Sequence, residues 1–82
     1  MDTEILTSLT RYIVDKIIKQ PHRSLDPQAP LITSGLIDSF NLVDLALFIE
    51  DEYGVHIDDS ELNSSFFDTL EQLVEIIQTR KK

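Results

Sequence analysis

The sequence predicts an all-α fold, a small bundle of three longer helices plus one short helix, with a long loop between the first and second helices. Three observations carry this reading. Apolar residues recur at helical spacing in three separate stretches, while alternating strand patterns are weak. A chain of 82 residues has room for one core, so it is read as a single domain over 1–82, with 1–2 and 80–82 frayed. It contains no cysteine, so no disulfide staples that core and helix packing must hold it.

The first helix is "DTEILTSLTRYIVDKIIKQ", where Ile5, Leu6, Leu9, Tyr12, Ile13 and Ile17 fall at helical spacing. Asp2 or Thr3 caps its start and Pro21 ends it. Lys16 and Lys19 are expected in its last turn, where cations suit the helix dipole. From Pro21 to Asp38 runs a connection containing three prolines and Gly35. Helix–helix loops usually span about 2–8 residues, so this one must be packed, functional or both. Leu25, Leu31, Ile32, Leu36 and Ile37 can pin it to the core.

The second helix runs from about Ser39 to Tyr53, with Gly54 at a natural stop. "VHIDDSELN" then supplies two apolar anchors, Val55 and Ile57, and one short helical turn. In the last helix, "DTLEQLVEIIQTR", Asp68 and Glu71 have the spacing of a capping box. Leu70, Leu73, Val74 and Ile77 form its inner face.

At about 100° per residue, the second helix carries two apolar stripes. Leu42, Leu45, Ala46, Ile49 and Tyr53 share one side, an ordinary core stripe. Phe40, Val43 and Leu47 share nearly the opposite side, bordered by Asp44 and Asp51, with Phe48 at one flank. Either the long loop covers this second stripe, or it is an exposed patch of the kind that binds partners.

Charge narrows the partners. The formal net charge is −8, and no basic residue lies between Ser24 and Thr79, which hold twelve of the fifteen acids. Such a surface repels phosphate backbones and attracts basic patches, so nucleic acid is excluded as a partner class. No apolar run approaches the roughly 20 residues of a membrane span and no leader opens the chain, so a cytoplasmic monomer without stable membrane insertion is expected.

The chemistry rests on Ser39. It is a good helix-start residue, and Asp38 beside it could cap equally well. A nucleophile needs a base and an orienting partner. The two histidines do not supply them: His22 lies among polar loop residues, and His56 points opposite to Val55 and Ile57. No Gly-x-Ser-x-Gly elbow is present, so the chain is read as non-enzymatic. "DEYGVHIDDSEL" has the length of a calcium loop, but Tyr53 and Val55 stand where oxygen ligands belong, so no metal site is assigned. What suits Ser39 is attachment, because a helix N-terminus favours an anion hung upon it.

"GLIDSF" followed by "LVDLALFIEDEYGVHIDD" resembles the acyl carrier proteins and the aminoacyl and peptidyl carrier domains. Asp38-Ser39-Phe40 stands for their Asp-Ser-Leu, Val43-Asp44-Leu45 for Val-Glu-Leu, and Glu50 to Tyr53 for their acidic run ending in an aromatic. Ile57 and Asp59 match the following Ile-Pro-Asp, with Asp58 in place of proline. The resemblance covers nearly the whole chain. It implies 4′-phosphopantetheine attached to Ser39 by a phosphopantetheinyl transferase, Asp38 in support, and acyl or aminoacyl thioesters on the arm. It also implies a docking face of Phe40, Val43, Asp44, Leu47, Phe48, Glu50 and Asp51. That face would meet the transferase, a loading ligase and downstream acyl-processing enzymes with basic patches. Phe40 for leucine is a pattern of D-alanyl carrier proteins and stand-alone carriers, and "NSSFFDTL" is longer than in typical fatty-acid carriers. The alternative is an unmodified acidic module that binds proteins through the same helix.

Overall fold

A computed structural model describes residues 2–20 and 22–81. In chain order it holds α1 (Thr3–Tyr12), α2 (Ser39–Tyr53) and α3 (Leu70–Arg80), with a 3₁₀ turn at Asp59–Glu61 before α3 and no strand among the described residues.

Asp2 caps α1, its carboxylate accepting from the Glu4 and Ile5 amides at 2.9 and 3.2 Å. The α-helical hydrogen bonding stops at Tyr12 rather than continuing toward Pro21. A π-helical turn, Ile13–Ile17, takes over. Lys16 lies in that turn, and Lys19 lies beyond it in the left-handed region (φ 62°), so it does not occupy a last helical turn. Spacing at 3.6 residues cannot register this change, because the slip is in the backbone bonds. Val14, absent from the expected stripe, is buried in that turn with Ile13. Pro21 lies outside the described residues, as do Met1 and Lys82. Of the other ends expected to fray, Asp2 makes the cap just given and Arg80 is tied to Glu61.

The core gathers Ile5, Leu9 and Ile13 of the first helical stretch, Leu42, Leu45 and Ile49 of α2, and Leu70, Leu73, Val74 and Ile77 of α3. Burying each such branched side chain contributes about 1.5–3 kcal/mol relative to exposure. The long loop is part of that core: Leu31 and Ile37 are almost wholly buried. Val55, Ile57 and Phe67 complete it from the other connection. α2 ends at Gly54, whose φ of 68° is strained for any residue with a side chain.

α3 begins differently from the expected Asp68–Glu71 box. Thr69 is the cap and Gln72 its reciprocal partner. The Gln72 amide donates to Thr69 Oγ1 at 3.1 Å, and Gln72 Oε1 accepts from the Thr69 and Asp68 amides. The Asp68 carboxylate is withdrawn from capping because distant loop amides claim it.

A second capping box, Asp58 with Glu61, builds the 3₁₀ turn. Glu61 also accepts from both terminal nitrogens of Arg80, and Arg80 Nη1 reaches the His56 carbonyl at 3.2 Å. The short turn is thereby fastened to the end of α3. The Arg80 hydrogen bonds, followed by the Asp58 amide, hold the Glu61 carboxyl down at about 2. That lies below the roughly 4.3 of an unfolded glutamate. Ionised Glu61 therefore stabilises the fold fully above the unfolded value, and the contribution is lost as pH falls toward 2. Glu61→Gln should lower the Tm by a few degrees at pH 7, and the gap should close on acidification. Melting curves between pH 7 and pH 2 check this, and a gap independent of pH would reject it.

Candidate functional site

The stretch leading into α2 is extended at Asp38, whose Oδ1 accepts from the Asn41 amide at 2.9 Å. Asp38 is thus the cap, which settles a choice the sequence left open. Ser39 is the first helical residue; it is exposed, and its hydroxyl makes no hydrogen bond among the described residues. The first amides of a helix have no partner within it. Asp38 serves the Asn41 amide, so the N–H groups of the opening turn beside Ser39 keep their pull on an anion. No acid lies in that first turn.

The second stripe of α2 is not covered by the loop. Phe40 is 84% exposed, Leu47 61% and Val43 48%. The loop instead crosses the start of α3, where the Glu71 amide donates to the Pro27 carbonyl and the Leu31 amide to the Asp68 carbonyl. Asp44, Glu50 and Asp51 are exposed beside the stripe.

Phe48 is turned further inward. It stacks on Tyr12 with ring centres 4.0 Å apart and meets the edge of Tyr53 at 6.1 Å. The Tyr12 hydroxyl donates to the Asp44 carbonyl at 3.3 Å. Phe48 therefore joins α1 to α2 and contributes only a flank to the surface. With Tyr12, Asp44, Leu47 and Asp51 it borders an open groove of about 320 Å³ that continues the exposed stripe. A larger groove, about 610 Å³, runs between α1 and α2 past Ser8, Arg11 and Glu52. It does not include Ser39 or Phe40, so its size does not bear on the serine.

Among the described residues no catalytic set forms around Ser39. His56 Nδ1 stands 3.2 Å from Glu50 Oε2, with both side chains exposed. At a rise of about 1.5 Å per residue, Glu50 lies about 16 Å along α2 from Ser39. His22 is exposed in the loop. Among the described residues no group of three His, Cys, Asp or Glu side chains could hold a metal ion. Nor is any helix among them long and apolar enough to cross a membrane.

Two sets of long-range bonds also escaped the sequence reading. One is the tie between Arg80 and Glu61, nineteen residues apart. The other is the set of bonds from Asp68 to Ile32 and Thr33, across more than thirty residues. Neither has a local pattern. The one available signal was an aspartate directly before a Thr-x-x-Gln box, left over once the cap is assigned.

The chain matches the family described as "Phosphopantetheine attachment site" over residues 10–77. It is also similar to an acyl carrier protein of Thermobifida fusca (strain YX), with 30% identity over 77 residues, or 94% of each chain.

Proposed function

We propose, from the premise that this chain belongs to the phosphopantetheine-attachment family of acyl carrier proteins, that Ser39 is the residue bearing the prosthetic arm. Membership makes the protein a carrier rather than an enzyme, with 4′-phosphopantetheine as its cofactor. The arm supplies the terminal thiol on which an acyl or aminoacyl group rides as a thioester. That suits a chain with no cysteine of its own.

The observation that carries the assignment is the state of the Ser39 hydroxyl. It is exposed at the first position of α2, while Asp38 performs the capping that would otherwise occupy it. The residues present fit the group. A phosphodiester there would meet open space, uncapped amides and the positive end of a 15-residue helix.

The remaining residues act by presentation. Phe40, Val43 and Leu47 offer apolar contacts, with Phe48 at their edge, and Asp44, Glu50 and Asp51 draw in basic surfaces. In this reading the face serves a phosphopantetheinyl transferase first, then a loading ligase and downstream acyl-processing enzymes. A monomeric carrier working in the cytoplasm fits those partners. Phe40 after the serine favours a stand-alone carrier served by an adenylating ligase.

Incubation with coenzyme A and a broad-specificity transferase tests the proposal. The intact mass should rise by one phosphopantetheinyl group, and peptide mapping should place it on Ser39. No gain under conditions that load a control carrier would overturn the assignment and leave an unmodified interaction module.

A further inference from the structure

Asp68 gathers four hydrogen bonds from a loop more than thirty residues upstream. Its carboxylate accepts from the Ile32 amide at 2.7 Å, the Thr33 amide at 3.0 Å and Thr33 Oγ1 at 2.6 Å. Its carbonyl accepts from the Leu31 amide at 2.6 Å. The Leu31 carbonyl in turn accepts from the Ile37 amide at 3.0 Å. Leu31 and Ile37 are buried, and Asp38, the cap of α2, follows at once. On the other side, the Asp68 amide donates to Gln72 Oε1 at 2.7 Å, inside the box that starts α3. An unbroken path of bonds therefore runs from the first turn of α3 to the residue two before Ser39.

Buried Leu31 and Ile37 pin the two ends of this stretch to the core, with Ile32 and Leu36 packed against it in part, while the exposed residues between them are shaped locally. The Ser34 hydroxyl donates to the Pro30 carbonyl at 2.7 Å, and Gly35 takes a positive φ of 80°. Both bonds and bends are local, so they shape the turn without fixing where it sits on the bundle. Asp68 adds the polar tie to α3. Its charge makes these bonds stronger than neutral ones. Thr33 side-chain and backbone donation, then Ile32 and Leu31, hold its carboxyl below the usual range.

We infer that Asp68, with Thr33, is a positioning residue for the modification of Ser39: it latches the preceding loop to α3 so that the serine is presented in one arrangement. This rests on the Ser39 assignment above. Asp68 touches neither the arm nor the reacting hydroxyl and acts only through the loop.

The latch has a specific kinetic signature. A loop released from α3 samples the competent arrangement for only a fraction of the time, and the apparent affinity of a partner falls by that fraction. Once bound, the serine is placed as before. Asp68→Ala should therefore raise the transferase KM for the carrier by about tenfold, with kcat held within about twofold. Assays belong at a temperature where circular dichroism shows each variant to be folded. Thr33→Val should show a smaller rise, and Asp68→Asn, which keeps one carbonyl oxygen for the two amides, should restore part of the loss.

Val74→Ala separates positioning from stability. Val74 is fully buried in α3 and takes no part in the latch. It should lower the Tm without moving KM. In parallel, amide exchange at Ile37 should quicken in Asp68→Ala relative to Val74→Ala. Equal KM in Asp68→Ala and wild type, the same KM rise in Val74→Ala, a loss in kcat alone, or unchanged exchange at Ile37 would each overturn the inference. If wild type itself took up no group, the Ser39 assignment would fail, while the exchange comparison would still decide whether the latch orders the loop.

Discussion

Ser39→Ala is expected to abolish loading by a phosphopantetheinyl transferase and to leave the fold untouched. The expectation is sharp because two roles that a helix-start serine can combine are divided here between neighbours. Asp38 accepts from the Asn41 amide, and the Ser39 hydroxyl accepts and donates nothing among the described residues. Removing it leaves no buried group unsatisfied, and alanine is the better helix former by a few tenths of a kcal/mol. The Tm should stay level or rise slightly, while the mass gain on incubation with coenzyme A disappears. Removal of the Asp38 carboxylate would confuse the two effects, since a lost cap costs about 0.5–2 kcal/mol. A Ser39→Ala protein that still gained the group would move the attachment elsewhere.

Replacing Phe40 and Leu47 together by alanine should cut transferase kcat/KM by about thirtyfold or more, again without loss of stability. Both side chains stand largely in water, at 84% and 61% exposure, so the fold gains little from them. Surface changes of this kind usually stay within about 0.5 kcal/mol. A partner that buries them would gain what the bundle does not. Truncating one of the few residues that dominate an interface costs about 2 kcal/mol or more, which is a factor of about thirty. The acids alongside act over a longer range, so loading of the parent protein should also slow as salt is raised. Initial loading rates against carrier concentration, at two ionic strengths, give both quantities. Parental kcat/KM in the double variant would show that partners approach by another face.

What the sequence made legible follows the range of the interactions involved. Both ends of α2 could be read because its stop and start use neighbouring residues: Asp38 within one turn and Gly54 at a position that needs positive φ. The inner faces of α2 and α3 could be read because period 3.6 is a property of the chain alone. The fate of Phe40, Val43 and Leu47 could not, since periodicity says which residues share a side and nothing about what lies over it. The loop turned toward α3, where it meets Asp68 and Glu71 through bonds between residues far apart in sequence. The same distance explains the misplaced cap: Asp68 and Thr69 are equal candidates until Thr33 engages one of them. Ser39 stood out by family likeness, and in the fold its exposed hydroxyl makes no hydrogen bond among the described residues.

The aromatic seam between α1 and α2 has an optical consequence. The chain has two tyrosines and no tryptophan, and both tyrosines contact Phe48. All phenol emission and nearly all near-ultraviolet dichroism therefore arise from one junction, the one beside the exposed face of α2. The protein carries a label-free gauge of how tightly those two helices clasp, readable in the same cuvette before and after a cargo is attached.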